Sequence, residues 1–254
     1  MNQMTTTTSS EILHVEQKGP ILWLTMNRPN KYNALSIGLN EALLRACRTV
    51  TADVSVVVLR GEGKHFCVGS DLKDLYQVDR AEAERVVRLE IEACWALAAL
   101  PQLTVAILHG KCLGGGAMLP LYCDMRIARP GVELALPEVS LGWVPPYGIE
   151  RMHANMSRSF ALDMLLTGRL CGDREAVERG WIHRLVTSEE ETPLIEKLGQ
   201  IPRRTMDDTL ALAYPKNLAE IKQADEKALV AFLDHFDTDH ARNKIASFVE
   251  KKRS

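Results

Sequence analysis

No two cysteines of this chain stand at metal-ligand or redox spacing. The six, Cys47, Cys67, Cys94, Cys112, Cys123 and Cys171, are scattered and lie mostly inside apolar stretches. A free cysteine in such surroundings behaves as a small hydrophobe, which argues against a disulfide framework and fits a reducing, cytoplasmic setting. Long basic runs are missing as well, apart from the short tail Lys251-Lys252-Arg253. With 31 basic against 33 acidic residues, a formal charge of −2 and a pI near 6.4, a general nucleic-acid binder is disfavoured. No stretch approaches the roughly 18 uncharged apolar residues that a membrane span needs. Met1 to Ser10 is Thr-rich and lacks a charged n-region, an apolar h-region and the arginines of a transit peptide, so residues 1–10 read as a disordered tail. There is no G-x-S-x-G elbow for a serine hydrolase, although Gly69-Ser70-Asp71 superficially resembles one. His65 and Cys67 alone do not make a metal site, so no metal is expected.

What is present is enough to bury a full core. The chain has 254 residues, 46% of them hydrophobic. Ile21 to Met26 reads as a buried strand ended by Asn27-Arg28-Pro29-Asn30, and Ser36 to Val50 as a helix behind a Ser cap. Ser55 to Leu59 is a β-branched strand. Arg80 to Leu100 is a long helix with Val86, Leu89, Ala93 and Leu97 on its apolar face, closed by Pro101. Met125 to Ala128 is a short strand, and Pro137 begins a loop carrying Glu138. Beyond Arg151 the pattern turns helical, with Ser157 to Leu166, Asp173 to Arg179, Thr192 to Leu198, Leu218 to Phe236 and Asp239 to Lys251 as segments. The expected organisation is an α/β core over residues 11–190 and a helical region over 191–254.

The most informative stretch is a glycine-rich turn, His109-Gly110-Lys111-Cys112-Leu113-Gly114-Gly115-Gly116, between an apolar strand, Leu103 to Leu108, and an apolar helix-like segment. Glycines let backbone approach a ligand, and a helix start adds unpaired N–H donors and the positive end of a dipole. A second loop, His65 to Lys73, follows another strand and can supply a second donor to one carbonyl oxygen. The strand, turn and helix, with Glu133 downstream, also mimic a dinucleotide-binding unit, but the glycines are not spaced as G-x-G-x-x-G. His65 and His109 border turns and read as structural or exposed. Asp71 reads as a loop-holding carboxylate. Pro120 is tolerable only in the first turn of its helix.

Several separated motifs, in order and in spacing, resemble the enoyl-CoA hydratase/isomerase, or crotonase, superfamily from about Ile12 to the C-terminus. They are Asn27-Arg28-Pro29-Asn30-Lys31-Tyr32-Asn33-Ala34-Leu35, Phe66-Cys67-Val68-Gly69-Ser70-Asp71-Leu72-Lys73, the glycine turn, and Pro137-Glu138-Val139-Ser140-Leu141-Gly142. The resemblance implies an α/β crotonase-like spiral of ββα turns with a C-terminal helical region. It implies an oxyanion hole made by the N–H groups of Val68 and Gly115, with Glu138 as the general acid/base. Lys31, Ala34, Ser70, Asp71, Leu72, Gly114, Met118 and Tyr147 would contact substrate, and Lys31 and Lys73 are candidates for CoA phosphates. No cofactor is implied, because the CoA or carrier-protein thioester is itself part of the substrate. The family's habit of forming trimers or hexamers would be served by C-terminal helices such as Leu218 to Phe236 packing between subunits.

Two departures from the family's pattern shape the expected chemistry. Met118 stands where hydratases of the family keep a second glutamate, which leaves Glu138 as the lone expected carboxylate. It suits a double-bond shift, or a hydration or dehydration in which one group handles every proton. The stretch Trp143-Val144-Pro145-Pro146-Tyr147-Gly148 is the second departure, and Tyr147 is a candidate to face the acyl pocket. The chain end, Phe236-Asp237 through Lys251, with Glu138, also resembles crotonase-type dehydratases of polyketide β-branching, which act on carrier-bound acyl groups. A non-catalytic crotonase-fold scaffold is the remaining alternative.

Overall fold

The computed structural model describes residues 5–213 and 217–251. Thr5–Ser10 (β1), Leu13–Lys18 (β2) and Ile21–Met26 (β3) open the chain as an antiparallel meander, followed by Ile37–Arg48 (α1), Val56–Gly61 (β4), Arg80–Ala98 (α2) and Leu103–Leu108 (β5). Next come Lys111–Leu113 (β6), Gly115–Met118 (α3), Met125–Ala128 (β7), Glu133–Ala135 (β8), Ile149–Asn155 (α4), Arg158–Thr167 (α5), Cys171–Gly172 (β9), Asp173–Glu178 (α6) and Arg184–Leu185 (β10). Ser188–Gly199 (α7), Arg203–Ala213 (α8), Leu218–Phe236 (α9) and Asp239–Lys251 (α10) complete it. One correction falls at the start: residues 5–10, expected to be a disordered tail, pair with β2 along their whole length. Four consecutive threonines suit a β-strand, and an edge position needs no buried side chains. Residues 1–4 lie outside the described residues, as do 252 and 253 of the basic tail.

The main sheet runs β1-β2-β3-β4-β5-β7-β10, parallel from β3 onward, and a smaller sheet runs β6-β8-β9. β3 and β5 are buried at every position, and β4 over its first four, as strands covered on both faces must be. One core lies between the sheet and α1, α2, α3 and α9; another, on the opposite face, joins Ile21, Trp23, Val58 and Ile107 to Ile195 of α7 and Met206 of α8. Each of these large side chains is worth about 1.5–3 kcal/mol for its burial. Caps set the helix starts. Ser36 accepts from the Leu39 N–H at the head of α1, and Asp79 from the Glu82 N–H at the head of α2. α7 begins a turn earlier than its apolar spacing predicts, because Thr187 and Glu190 form a capping box.

α9 departs from expectation. Its apolar stripe, Ile221, Leu229, Phe232, Leu233 and Phe236, is buried inside its own chain, with Phe232 edge-on to Trp143 at 5.3 Å. Asp225 of the same face is 1% exposed and accepts from Trp95 Nε1 (2.8 Å), Tyr122 Oη (2.6 Å) and the Gly148 N–H (3.0 Å). It thereby ties α9 to α2 and to the 143–148 loop. Exposed large apolar side chains include Val230 on the outer side of α9, Leu212 of α8, and the group Leu162, Leu166 and Leu170 on and just after α5. No helix among the described residues is long and apolar enough to cross a membrane.

Candidate active site

The two glycine-bearing loops meet as a short parallel ladder. Phe66 N–H donates to His109 O (2.9 Å), Cys67 N–H to Lys111 O (3.4 Å) and Leu113 N–H to Cys67 O (3.1 Å). A methyl group on Gly116 would lie 2.2 Å from Cys67 O, so this glycine exists for the contact between the loops. The neighbouring glycines do something else. Methyl groups on Gly114 and Gly115 would meet the tips of Glu138 (Oε1, 2.8 Å) and Tyr147 (Oη, 2.5 Å). Two polar side-chain ends therefore press on consecutive bare positions of one turn. They share a cavity of about 550 Å³ with Val68, Gly69, Ser70, Leu72 and Met118.

The two expected amide donors differ in freedom. Gly115 N–H opens α3, whose first N–H groups have no partner within the helix, and no backbone acceptor meets it among the described residues. Val68 N–H donates to Tyr32 O at 3.2 Å, long for such a bond, from a tyrosine in the left-handed region at φ 52°. Both residues line the one cavity, and a methyl on Gly69 would lie 3.3 Å from Gly115 N.

Glu138 sits in a 3-10 turn, Pro137–Leu141, with Pro137 fixing the entry and Gly142 closing it. Glu138 as a residue is 9% exposed, and its Oε2 is buried without a hydrogen-bond partner. Burial pushes its pKa up to about 7. Met118 is fully buried beside it in the same cavity, and a methyl on Gly148 would strike its Sδ at 2.7 Å.

The expectation of a lone carboxylate needs correcting. Glu90 of α2 is 1% exposed and lies directly behind the cavity wall, its Oε2 accepting from Ser70 Oγ (2.9 Å) and Tyr147 Oη (3.0 Å). Its Oε1 is buried with no partner. Burial, opposed by these two hydrogen bonds, pushes its pKa up to about 8. A sequence signal existed: residues 83, 86, 87, 90, 91, 93, 94, 97 and 98 form the buried face of α2, and Glu90 is its one charged member. Reading the stripe through half-buried Leu89 hid it.

Lys31, Ala34, Asp71, Leu72 and Lys73 line a second cavity of about 370 Å³, which shares Tyr32, Val68, Ser70, Leu72 and Phe248 with the first. Asp71 pairs with Arg28 at 3.0 Å and accepts from the Lys73 N–H at 3.4 Å, as its loop-holding reading expects. Asn33 adds bonds to Glu62 O and His65 O, both 2.9 Å. His109 is buried with Nε2 3.0 Å from Gly63 O, and His65 Nδ1 accepts from the Lys111 N–H at 3.1 Å; His65 also borders the larger cavity. Pro120 occupies the first turn of a 3-10 extension of α3, where it is tolerated.

With this geometry in view, comparison with known proteins is decisive. The sequence profile described as enoyl-CoA hydratase/isomerase matches residues 16–254. The chain belongs to the enoyl-CoA hydratase/isomerase family. It is 32% identical over 224 residues to the enoyl-CoA hydratase ACTT6 of Alternaria alternata, covering 87% of this chain and 72% of that protein. It is 30% identical over 256 residues to a protein of Rhizobium meliloti named as a probable enoyl-CoA hydratase, covering 97% and 98% of the two chains. In structure it resembles an enoyl-CoA hydratase/isomerase from Mycobacterium paratuberculosis, with a TM-score of 0.85 at 24% identity and 94% and 98% coverage. An enoyl-CoA hydratase from Bacillus halodurans superposes with a TM-score of 0.83 at 22% identity, covering 93% and 99%. The fold is thus the crotonase fold expected from the motifs, and this member of the enoyl-CoA hydratase/isomerase family is an enzyme.

Proposed function

We propose that the protein acts on an acyl thioester, polarising its carbonyl on the N–H groups of Gly115 and Val68 and moving a proton at Cα or Cγ with Glu138. The observation that carries this reading is a buried Glu138 carboxyl with Oε2 unpartnered and Oε1 pressed against the bare Gly114 of the oxyanion turn. A carboxyl whose pKa lies near 7 is populated in both forms at neutral pH, so it takes and returns protons readily. The Gly115 N–H is free to donate to the oxyanion at once, whereas the Val68 N–H must share or release its long bond to Tyr32 O. Donors fixed in a water-poor cavity are worth several kcal/mol, on the order of 3 kcal/mol each. The reaction is hydration or dehydration, or double-bond isomerisation, of an enoyl thioester.

The thioester carrier is CoA in this reading, as the enoyl-CoA hydratase names of the relatives suggest, and Lys31 and Lys73 on the adjoining cavity suit its phosphates. CoA is part of the substrate, and the chemistry as written uses only amides and one carboxyl. The assembly is a homotrimer or hexamer, supported by the exposed Leu162, Leu166 and Leu170 face; light scattering at micromolar concentration tests it. The deciding experiment incubates enoyl- and 3-hydroxyacyl-CoAs, and the matching carrier-protein thioesters, in deuterated water. Label at Cα with water gained or lost means hydration or dehydration, and label at Cγ means isomerisation. No turnover and no label with any thioester sinks the proposal and leaves a crotonase-fold scaffold.

A further inference from the structure

Glu90 has no task in the chemistry just described, yet its surroundings are not those of an idle side chain. It is a carboxyl 1% exposed, with no ion-pair partner among the described residues. Both groups that reach it are hydroxyls whose residues line the catalytic cavity, and both reach the same oxygen, Oε2. The other charged groups acting on it are Asp74, from the loop that carries Ser70, and Glu138 across the cavity; both carry the same sign and favour its neutral form. A buried carboxyl lacking a cation keeps its proton. That proton has one sensible place. On Oε1 it would point at nothing, whereas on Oε2 it has two hydroxyl oxygens at 2.9 and 3.0 Å. An Oε1 left as a bare carbonyl is the cheaper of the two unmet groups.

A hydroxyl has one hydrogen and two lone pairs. Whichever hydroxyl accepts the Glu90 proton has its own hydrogen freed to point elsewhere. Of the two, the phenol is the stronger acid, and its oxygen abuts Gly115, the residue whose N–H is to hold the thioester oxygen. We propose, resting on the acyl-thioester reading, that Glu90 donates from Oε2 to Tyr147 Oη and so sets Tyr147 as the proton donor to the acyl β-oxygen, opposite Glu138. Tyr147 is then a catalytic residue and Glu90 a positioning residue that restores its proton.

In dehydration, ionised Glu138 takes the Cα proton and the electron pair enters the enolate. As that pair returns to form the Cα–Cβ double bond, the Cβ–O bond breaks and the oxygen leaves with the Tyr147 proton. The Glu90 proton moves onto Tyr147 Oη in the same event, because burial beside Glu90 keeps a tyrosinate strongly disfavoured. Water departs, and one proton passes from Glu138 through solvent in the emptied cavity to the Tyr147 hydroxyl, which hands its own proton on to Glu90. Hydration is the reverse. Met118, where a second glutamate is expected in hydratases, is thus compensated from another element.

The test separates the two halves of the reaction. Cα hydrogen exchange of a saturated acyl-CoA in deuterated water needs only the amides and Glu138; hydration and dehydration also need the donor. Y147F is expected to keep exchange within about threefold of the native enzyme while losing at least about 10²-fold in turnover. E90Q can still hydrogen-bond to Tyr147 but cannot give it a proton, so turnover should fall about 10²-fold or more while Cα exchange stays within about threefold of the native enzyme. Isotope-edited infrared spectra should give a protonated-carboxyl band at pH 7 that E90Q removes, a readout independent of activity. The relay is overturned if Y147F or E90Q lowers both rates alike or neither, or if the band is absent. A native enzyme that neither exchanges nor turns over any thioester overturns the acyl-thioester reading, whereas failure of Y147F alone leaves that reading standing.

Discussion

Two walls of one cavity carry the same functional group in opposite settings. Glu138, on a five-residue 3-10 turn, faces the space directly, and one of its oxygens meets no partner. Glu90, on a 19-residue helix, is sealed behind Ser70 and Tyr147 and communicates only through hydroxyls. Burial raises the pKa of both carboxyls, but only one is placed to touch an acyl chain. The difference teaches that burial fixes how strongly a carboxyl holds its proton, while the neighbouring element decides whether that proton is delivered by contact or by relay.

The sharpest way to break the comparison is E138Q. An amide cannot exchange the proton, so turnover and Cα exchange should both fall about 10²- to 10⁴-fold while acyl-CoA affinity by calorimetry changes only a few-fold. A variant retaining more than a tenth of the native rate would make the two carboxyls equivalent. The second effect is on stability. Both folded-state values, about 7 and about 8, lie above the ordinary 4.5, so the folded protein binds more protons than the unfolded chain between these limits. Stability is therefore greatest below about pH 4.5, as far as these two groups go, and declines as pH rises through 7 and 8, by on the order of a few kcal/mol. Urea melts at pH 5 and pH 9 check this, and E90Q should flatten the slope.

Smaller effects separate the walls further. G115A places a methyl 2.5 Å from Tyr147 Oη, and G114A one 2.8 Å from Glu138 Oε1 at a residue already at φ 52°. Each should cost about 10²-fold in turnover through misplacement. G115A should spare Cα exchange less than Y147F does, because it also disturbs the amide; equal exchange in the two variants would count against Gly115 as the oxyanion donor. D225N weakens three buried bonds to α2, Tyr122 and the Gly148 amide. The cost should be about 1–3 kcal/mol, seen as a lower melting temperature, with turnover affected more than exchange since the 143–148 loop carries Tyr147.

The family and the two donor loops were legible because they depend on glycines and strand ends that sit together in the chain. The parallel strands β3, β4 and β5 were equally plain, being short apolar runs bounded by turns. What escaped was non-local or too short to have a period. β9 and β10 are two residues each and exist only through their partners, and β1 was mistaken for a tail because a run of threonines and serines carries no apolar alternation that periodicity could register. Glu90 escaped for a different reason. A charge on an apolar helix face looks like a misplaced register until Ser70 and Tyr147, at sequence distances of 20 and 57, are brought to it.

Asp225 belongs to a helix more than a hundred residues downstream of the oxyanion turn, yet its grip on the Gly148 amide anchors the stretch bearing Tyr147. The polarising half of the pocket, by contrast, is assembled from segments before residue 120. A loosened α9 would therefore disturb the placement of the hydroxyl while leaving the two amides where they are.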